Sequence, residues 1–599
     1  PRVYEEMLTI CVEPGTKKAS DVAKRVEFGF RDVEKGFAEA DLIVEREFTT
    51  QQVHQGYIEP HACLASVSED GQADLWCTTQ GAFVVRNFCS KLLGLSAAQI
   101  RVTASEIGGG FGGKTVVYLE PLALALSRKS CRPVKMDMSR AEVFTSSGPT
   151  SGAKIWVKIG VKNDGRITAG DCVLKYQAGA FQGAPVGPGA MCAFAPYDLE
   201  NVRAVGYDIV VNRPKVAAYR APGGPISEYG VESVLDEIAL KLKIDPIEIR
   251  LKNAAKEGTI APYGPKLGPI GMIETLEAAK AHPHYSAPLG PNQGRGVASG
   301  FWFNIGGETS SSITINEDGT VGLTLGTTDI GGSRASMAMM ASEELGVPMD
   351  LIKPVIGDTN SLGFNFLTGG SRATFSTGMT VVRSTREAIE ELRKRAALLW
   401  EVDLDQVEWV DGHARLIAGD EPKTMSLAQI AKQAGKTGGP IMANCSMNVT
   451  GAGPSLGTHI VDVEVDTETG KVSIVRYTAI QDAGKAIHPA YVEGQMQGGA
   501  VQGIGWALNE EYIYNDKGQL ENAGFLDYRI PVCSDVPMID TVIVEVPNPN
   551  HPYGVRGVGE TPIIPPLAAI SNAVSRATNI RFNELPLSPP KVLARLMHG

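Results

Sequence analysis

A run of glycines that ends in lysine and threonine, Ile107–Thr115 (IGGGFGGKT), is the first stretch whose residue types could do chemistry. Glycine lets backbone N–H groups come close to an anion because no Cβ stands in the way. The segment Gly108–Thr115 also fits G-x-x-x-x-G-K-[ST], the phosphate-binding loop of ATPases and GTPases, with Lys114 as its lysine. The loop therefore predicts an anionic ligand, and a P-loop NTPase is one interpretation.

The flanking sequence does not favour that interpretation. A P-loop follows a short buried strand and begins a helix, whereas Ile100–Ile107 is only half apolar and Pro121 would interrupt an early helix. The sequence also has no convincing apolar strand that ends in a magnesium-binding aspartate. The NTPase is therefore the competing hypothesis rather than the preferred one.

Three further glycine clusters share the pattern of the first. They are Arg220–Pro225 (RAPGGP), Gly331–Ala335 (GGSRA) and Gly369–Ala373 (GGSRA), and each precedes a segment with helical character. A glycine turn before a helix presents free N–H groups and the positive end of the helix dipole to an anion. One such cluster alone would be read as a turn with an N-cap. Four clusters in a chain of net charge −11 predict a large phosphate-bearing ligand held mainly by backbone groups.

Composition excludes several classes of protein. A net charge of −11 argues against a nucleic-acid-binding protein, which would present a basic face. The nine cysteines include no C-x-x-C pair, which excludes the usual iron–sulfur and zinc-finger spacings within this chain and predicts reduced thiols in a cytoplasm-like compartment. The sequence has no run of 18 apolar residues, so we predict no transmembrane helix. His282 and His284 form the one close histidine pair, which we interpret as a loop feature rather than a metal site.

The sequence predicts both strands and helices as the elements that position these residues. Alternating apolar residues before turn dipeptides predict β-hairpins at 157–165, 313–319 and 461–470. Apolar residues at helical spacing predict buried helix faces over 231–242 and 389–399. Because strands and helices are mixed rather than strictly alternating, we predict an α+β fold.

A polar, proline-bearing stretch, His282–Arg295, reads as the main linker of the chain. It divides the sequence into two halves of similar size, and each half holds hairpins, long helices and glycine clusters. We predict a first domain over residues 1–285 and a second over residues 295–599.

Four motifs occur in a fixed order along the chain, and together they carry a resemblance to a known family. They are GGGFGGK (108–114), AYRAPGG (218–224), VEGQMQGGAVQGIG (492–505) and GVGETP (557–562). The chain resembles the molybdopterin-binding large subunit of the xanthine oxidase, aldehyde oxidoreductase and carbon monoxide dehydrogenase family over essentially its whole length. The resemblance implies two large mixed α/β subdomains with the molybdenum cofactor bound between them, and an enzyme that hydroxylates an electron-poor carbon with oxygen from water.

The resemblance also implies roles for individual residues. Gly110, Phe111 and Gly112 would contact the cofactor, which is a physical reason for glycine beside a bulky anionic ligand. Glu560 would be the general base of the reaction, since a carboxylate in a pocket with little water can have a raised pKa and accept a proton. Arg220 would stabilise negative charge that develops on the substrate. The alternatives are a helix-capping role for Glu560 and a structural ion pair or helix cap for Arg220.

Further cofactor contacts follow from the same resemblance. Gln52 would hydrogen-bond an oxygen ligand of the metal, although Gln51 and Gln55 lie close by in the same segment. The remaining predicted contacts are Gly331, Gly332, Ala373, Thr374, Gln495 and Gln502. No side chain of this protein is expected to ligate the metal, because molybdenum would be held through the pterin dithiolene.

The sequence departs from the family pattern at three places, and the first two narrow the expected class of substrate. Thr115 stands where purine-oxidising members carry a glutamate, which weakens a purine assignment. No cysteine lies between Arg220 and Gly224, where carbon monoxide dehydrogenases carry their copper-linked cysteine, so carbon monoxide is disfavoured. Gly332 stands where many relatives have a glutamine, so one cofactor hydrogen bond must come from another group.

The resemblance finally implies cofactors and partners. We expect molybdenum–molybdopterin, in the cytosine dinucleotide form, together with a 2Fe-2S subunit and an FAD subunit that carry electrons away. We expect a small-molecule substrate and a hetero-oligomer, such as a dimer of heterotrimers, with no nucleic acid and no membrane. Family members usually carry a further segment upstream of Pro1, which would here be a separate polypeptide or have been cleaved away. A non-catalytic relative and a reductive enzyme acting on an aromatic acyl-CoA are the other hypotheses.

Overall fold

The computed structural model describes residues 20–417 and 423–598, so Pro1 lies outside the described residues. The strands are β1 (Val22–Phe30), β2 (Leu42–Thr50), β3 (Ala62–Val67), β4 (Ala73–Cys77), β5 (Ile100–Ala104), β6 (Val134–Asp137), β7 (Ala153–Val161), β8 (Ile167–Gly179), β9 (Val202–Val210), β10 (Gln293–Trp302), β11 (Gly307–Ile315), β12 (Val321–Leu325), β13 (Ile352–Ile356), β14 (Val407–Val410), β15 (His413–Leu416), β16 (Thr424–Ser426), β17 (Ile441–Val449), β18 (Ser455–Val465), β19 (Val472–Asp482), β20 (Ile539–Val544) and β21 (Glu584–Leu585).

The helices are α1 (Val33–Ala38), α2 (Ala82–Leu93), α3 (Glu120–Ser130), α4 (Arg140–Ser146), α5 (Val186–Cys192), α6 (Gly224–Leu242), α7 (Pro246–Asn253), α8 (Met272–Ala281), α9 (Pro283–Ser286), α10 (Ser333–Leu345), α11 (Gly378–Trp400), α12 (Leu427–Lys432), α13 (Ala434–Thr437), α14 (Pro489–Leu508), α15 (Pro565–Thr578) and α16 (Pro589–His598). None of these helices is both long enough and apolar enough to cross a membrane.

The described strands form separate sheets joined by helices, so the predicted α+β class is confirmed. A six-stranded sheet has the order β1-β9-β8-β7-β2-β21, and four-stranded sheets have the orders β10-β18-β19-β20, β13-β12-β11-β17 and β5-β4-β3-β6. A small sheet has the order β14-β15-β16. The three predicted hairpins are present as β7–β8, β11–β12 and β18–β19, each antiparallel.

The two predicted helix faces lie in α6 and α11. Within the predicted range of α11, the buried stripe runs through Leu392 and Ala396, while Ile389 and Leu399 are half-buried. In α6, by contrast, every residue from Gly224 to Ala239 is buried, because the helix packs against β7 and β2 on one side and α15 and β10 on the other. One of its buried carboxylates, Glu232, pairs with Arg250 at 2.8 Å, and both side chains are almost fully buried.

The stretch predicted as a linker is partly ordered into regular structure. It contains α9 and the first residues of β10, with six residues between them. His284 is buried in α9 and lies 2.8 Å from the hydroxyl of Thr478 and 3.1 Å from Asp462, so it is a core residue rather than a loop feature.

The two predicted domains share one hydrophobic core. The cluster that contains β7, β8 and α6 also contains β10, β18 and α15. Near the end of the chain, β21 adds to the first sheet beside β2. The division at residues 285–295 therefore stays a prediction, and the loops that end the elements of both halves are brought together around one cavity.

Candidate active site

A cavity of about 710 Å³ lies between loops from both halves of the chain. Glycine-rich loops form much of its wall, and the long helix α14 adds its first two turns. Apart from Gln80, the lining residues named below come from the segments 107–115, 218–222, 302–305, 330–336, 366–374, 483–498 and 555–560. The cavity thus collects all four glycine clusters that the sequence singled out.

The first glycine loop is held by contacts with its neighbours rather than by a helix. The N–H of Arg220 donates to the carbonyl of Phe111 at 2.8 Å, which joins this loop to the second one. Phe111 has a φ of 51° and Gly112 a φ of 104°. A Cβ at Gly112 would lie 2.6 Å from the carbonyl oxygen of Ala218, so only glycine permits the two loops to approach this closely.

Lys114 does not act as the lysine of a phosphate-binding loop. Its side chain is fully buried, its Nζ lies 2.6 Å from Glu59, and the ammonium lies 5.1 Å from the centre of the Tyr57 ring. Burial lowers the pKa of Lys114, and the hydrogen bond to Glu59 opposes that shift. The next helix, α3, begins only at Glu120. The lysine is therefore committed to Glu59, and the P-loop interpretation is not favoured.

Replacement of Lys114 by alanine is expected to lower the free energy of unfolding by about 1.5–3 kcal/mol, since it removes a hydrogen bond between charged groups. Chemical denaturation measures this change, and Lys114→Met, which keeps the aliphatic part of the side chain, is the matched control. Isothermal titration of the natural protein with magnesium and ATP is expected to give no binding. Magnesium-dependent nucleotide binding that Lys114→Ala abolishes would restore the NTPase hypothesis.

Glu560 is the acidic residue that lines the cavity, and it is buried. Its carboxyl accepts hydrogen bonds from the N–H of Ala221 at 3.2 Å and from the hydroxyl of Ser371 at 2.8 Å. Burial raises the pKa of Glu560 to about 7, while the bonds from Ser371 and Ala221 and the charge of Arg220 hold it from rising further. Although Glu560 stands at the N-cap position of the short 3₁₀ helix Thr561–Ile563, its side chain does not cap that helix.

The two residues that donate hydrogen bonds to Glu560, Ala221 and Ser371, have left-handed backbone conformations. The φ of Ala221 is 53° and that of Ser371 is 57°, which are uncommon values for residues with a side chain. Such conformations persist where the surrounding structure enforces them, and they concentrate at functional sites. Here they aim one N–H and one hydroxyl at a single carboxyl group.

Arg220 is buried and its guanidinium is surrounded by acceptors. Its Nε donates to the carbonyl of Gly559, its Nη1 to Gln502 Oε1 at 3.1 Å, and its Nη2 to the carbonyl of Gln495 at 2.8 Å and to Gln495 Oε1 at 3.2 Å. Burial lowers the pKa of Arg220 to about 10. This geometry favours a positioning role, which joins the Glu560 loop to α14, over the direct substrate contact that the sequence suggested.

The other predicted contact residues fall into two groups. Phe111, Gly112, Gly331, Ala373, Thr374 and Gln495 line the cavity with Arg220 and Glu560. Gly110, Gly332 and Gln502 do not line it, although each lies next to or binds a residue that does. Gly331 has a φ of 76°, which favours glycine, and a Cβ there would lie 2.5 Å from Gln495 Nε2.

Gln52 does not reach the cavity. It is buried, its Oε1 accepts a hydrogen bond from the hydroxyl of Tyr514 at 3.4 Å, and it is absent from the cavity wall. The glutamine that lines the cavity is Gln80, whose Oε1 accepts from the N–H of Gly112 at 2.9 Å and of Lys114 at 3.2 Å. Its Nε2 donates to the carbonyl of Thr368 at 2.8 Å, so one amide joins the first glycine loop to the fourth.

The sequence signal for Gln80 is its position at the end of a strand. The residue follows the buried strand β4 in the segment Trp76–Gly81 (WCTTQG) and lies two residues before α2. Loop residues at strand ends are often presented to a site, but Gln52 also follows a strand, β2, so this signal does not separate the two. The structure places Gln80 at the cavity wall, and the role of Gln52 as a cofactor contact stays a prediction.

One end of the cavity suits an anion. Helix α14 begins at Pro489, and its N-cap residue His488 lines the cavity with Nδ1 buried and unpaired among the described residues. The ring of His488 stacks on Tyr491 with centroids 3.8 Å apart, and Lys485 and Ser333, the first residue of α10, line the same cavity. Two helix N-termini favour an anion at this end, while the Nζ of Lys485 lies 3.2 Å from Glu545. In the ranges 20–417 and 423–598, no group of three or more His, Cys, Asp or Glu side chains is arranged to hold a metal ion.

Comparison of the sequence with known families matches two domain models, both described as molybdopterin cofactor-binding domain, over residues 15–254 and 274–537. A putative xanthine dehydrogenase molybdenum-binding subunit of Escherichia coli strain K12 is 31% identical, over 94% of this chain and 78% of its own length. The nicotine 6-hydroxylase large subunit of Paenarthrobacter nicotinovorans is 27% identical, over 96% of this chain and 76% of its own length.

Solved structures share the fold. The carbon monoxide dehydrogenase of Oligotropha carboxidovorans superposes with a TM-score of 0.90 at 24% identity and covers 100% of this chain and 80% of its own. Quinoline 2-oxidoreductase of Pseudomonas putida 86 superposes with a TM-score of 0.88 at 24% identity and covers 100% of this chain and 82% of its own. The two halves of this chain are therefore arranged as in these proteins.

Proposed function

Because the chain belongs to the molybdopterin-binding large subunits of the molybdenum hydroxylases, we propose that it oxidises an aldehyde or an aromatic ring carbon with water as the source of oxygen. The observation that carries this proposal is Glu560, a buried carboxyl group whose pKa is raised to about 7 and which faces a glycine-lined cavity. A base with such a pKa is ionised enough to accept a proton at neutral pH and basic enough to remove one.

The residues around the cavity fit a molybdenum–molybdopterin group. Backbone N–H groups and the side-chain NH2 group of Gln495 offer donors to a pterin edge, and the amide of Gln80 holds the two loops that present those backbone groups. The positive end, with the α10 and α14 N-termini, Lys485 and His488, fits the phosphates of a dinucleotide form, which we propose to be the cytosine dinucleotide. The bound cofactor supplies the two-electron redox chemistry of the reaction and activates the water that takes part in it.

Glu560 would hold the proton that the activated water loses. The bonds from Ala221 to one carboxyl oxygen and from Ser371 to the other hold the carboxyl group in one orientation at the cavity wall. Arg220 would keep this loop against α14, since its guanidinium spans Gly559 and Gln495. We therefore propose Glu560 as the catalytic base and Arg220 as a positioning residue.

The overall reaction balances with water and an electron acceptor. An aldehyde and water give a carboxylic acid, two protons and two electrons; an aromatic C–H and water give a hydroxylated ring with the same by-products. The sequence has no C-x-x-C pair for an iron–sulfur cluster, so the electrons require a partner. We propose a hetero-oligomer with a 2Fe-2S subunit and an FAD subunit, arranged as a dimer of heterotrimers.

Two measurements on the complex, purified from a host that makes the cofactor, test this proposal. We expect about one molybdenum per chain, with iron and flavin from the companion subunits. Oxidation of an aldehyde in ¹⁸O-labelled water is expected to place ¹⁸O in the product acid, after correction for exchange of the aldehyde oxygen in an enzyme-free control. Molybdenum-free protein, or product oxygen derived from O₂, would contradict the proposal.

A further inference from the structure

A second buried carboxyl group lies away from the cavity, where helix α14 ends. Glu510 is buried, lies two residues beyond the end of α14, and is not part of the cavity wall. Its N–H donates to the carbonyl of Gly505 at 2.9 Å, and a Cβ at Gly505 would overlap Glu510 Oε1. The carboxyl group is therefore packed directly against the last turn of the helix.

The surroundings of Glu510 keep a proton on its carboxyl group. Burial disfavours the charged form and raises the pKa of Glu510 to about 8, and the hydrogen bond from Tyr528 opposes that shift. The carbonyl groups at the end of α14 also disfavour a negative charge, since the helix dipole is negative at its C-terminus. Within residues 20–417 and 423–598, Glu510 forms no ion pair. The group is therefore largely protonated at neutral pH.

The other titratable groups around Glu510 do not change charge near neutral or mildly alkaline pH. Tyr528 binds the carboxyl group, Tyr219 faces it, and Tyr512 packs on Tyr528 with ring centroids 5.9 Å apart. Burial raises the pKa of all three phenols well above the ordinary value. Burial also lowers the pKa of His54 to about 3, so this ring is neutral. Among these groups, Glu510 is thus the one that gains or loses a proton in this range.

The hydroxyl of Tyr528 has one proton and two acceptors within reach. It lies 2.8 Å from Glu510 Oε2 and 3.2 Å from the carbonyl oxygen of His54, and it accepts from the N–H of His54 at 2.7 Å. When Glu510 is protonated, its O–H can donate to the Tyr528 oxygen, and the Tyr528 proton then goes to the carbonyl of His54. When Glu510 is ionised, the Tyr528 proton turns to the carboxylate, and that carbonyl has no donor among the described residues. The protonated form therefore pairs one more buried group.

Two routes join this carboxyl group to the loop 218–222. On one side, Trp506 in the last turn of α14 stacks on Tyr219 with ring centroids 5.3 Å apart and ring planes 16° apart. On the other side, Gln55, the residue after the histidine that binds the Tyr528 hydroxyl, donates from Nε2 to the carbonyl of Ala218 at 2.7 Å. The groups that surround the carboxyl group thus hold both residues that come before the arginine of that loop.

We propose that Glu510, Tyr528 and His54 form a joint between α14 and the loop 218–222, and that a single proton on Glu510 controls it. With that proton bound, the Tyr528 hydroxyl and the backbone groups of His54 are paired. Loss of the proton to solvent at alkaline pH places a charge without a counter-ion in the core and removes the donor of one carbonyl, which weakens the joint. Glu510 is therefore a positioning residue rather than a catalytic one. The inference depends neither on the substrate nor on the reaction.

The joint predicts the direction in which pH acts. In an opened chain a glutamate has a pKa of about 4.3, whereas burial in the folded protein raises the pKa of Glu510 to about 8. The stabilisation that comes from the bound proton is therefore fully present below about pH 4.3 and is lost as the pH rises through about 8. Relative to a variant that cannot ionise, the equilibrium constant for opening should increase about tenfold per pH unit between about pH 5 and pH 8 and stay constant above that.

Hydrogen exchange measured by mass spectrometry on the purified complex tests the joint. The variant is Glu510→Gln, whose amide is neutral at every pH and can still donate to Tyr528. At each pH the exchange rate of the wild type is divided by that of the variant, which cancels the intrinsic effect of pH on exchange. For peptides with the bonded amides of His54, Asn509 and Tyr512, we expect this ratio to rise about tenfold per pH unit from about pH 5 to pH 8 and then to level off. Peptides of the sheet β14-β15-β16 serve as the internal control, and their ratio should stay constant.

Tyr528→Phe is the second variant, and it separates the effect of the proton from a general effect of substitution. The hydrogen bond from Tyr528 lowers the pKa of Glu510, so its loss should keep the proton bound to higher pH. The ratio of Tyr528→Phe to the double variant Tyr528→Phe/Glu510→Gln should therefore level off at a higher pH than the first ratio. A first ratio that is constant from pH 5 to 8, an equal rise in the control peptides, or a plateau that Tyr528→Phe does not move would overturn the inference and leave the proposed function intact.

Discussion

Glu560→Gln is expected to lower kcat by a factor of about 10³, within the range that general-base catalysis supplies. The amide has nearly the shape of the carboxyl group: its oxygen can accept the bond from the N–H of Ala221, and its NH2 group can donate to the hydroxyl oxygen of Ser371. It cannot take up a proton, so the reaction loses its base while the fold and the cavity keep their form. Steady-state kinetics on protein of known molybdenum content measures the effect.

The controls separate chemistry from structure. Glu560→Gln should retain cofactor content and unfold no more easily than the natural protein, since it removes a buried ionisable group without leaving a cavity. Glu560→Asp, which keeps the carboxylate but withdraws it by one methylene, should have intermediate activity. If Glu560→Gln retained a tenth or more of the natural kcat at full cofactor occupancy, Glu560 would not be the base.

Arg220→Met is expected to lower kcat/KM by about 100-fold, through displacement of the Glu560 loop. The substitution leaves the carbonyls of Gly559 and Gln495 without their donor, and each unpaired buried group costs about 1–3 kcal/mol. A misplacement of about 1 Å at a catalytic group is sufficient for a loss of this size. The measurement is kcat/KM per bound molybdenum, with the cofactor content determined in parallel.

A positioning role also predicts a change that simple destabilisation would not cause. The positive charge of Arg220 lowers the pKa of Glu560, so its removal should move the rising limb of the pH–rate profile to higher pH. Arg220→Lys keeps a positive charge but loses the planar guanidinium group with its several donors. The rising limb of its pH–rate profile should therefore stay near the natural pH, while kcat/KM should still fall. A profile unchanged in Arg220→Met would argue that this charge does not act on Glu560.

The parts of the fold that local patterns determine could be predicted from the sequence. Alternation before a turn dipeptide located β7–β8, β11–β12 and β18–β19, because the register of a hairpin depends on neighbouring residues. The helices α6 and α11 followed from apolar spacing. That α6 would be buried on every side could not be predicted, because it depends on β10 and α15, which are distant in the chain.

The site was predictable where a motif is contiguous and not where a role depends on the direction of a side chain. Glycine loops identified the cavity wall, and Glu560 was located correctly within it. The sequence could not distinguish Gln52 from Gln80, since both follow strands and only the packing of the first glycine loop selects Gln80. Arg220 lines the cavity, but its partners Gly559 and Gln495 could not be predicted because they lie more than 270 residues away in the sequence.

The pH dependence of enzyme reduction by substrate tests the central claim most directly. Since burial raises the pKa of Glu560 to about 7, its basic form accumulates as the pH rises through that value. The rate of reduction in anaerobic stopped flow should therefore rise about tenfold per pH unit well below pH 7 and level off above it. The Glu560→Gln variant should be reduced slowly, and its rate of reduction should not rise with pH in this range. A wild-type rate independent of pH between 5 and 9, or the same limb in both proteins, would contradict the assignment of Glu560 as the base.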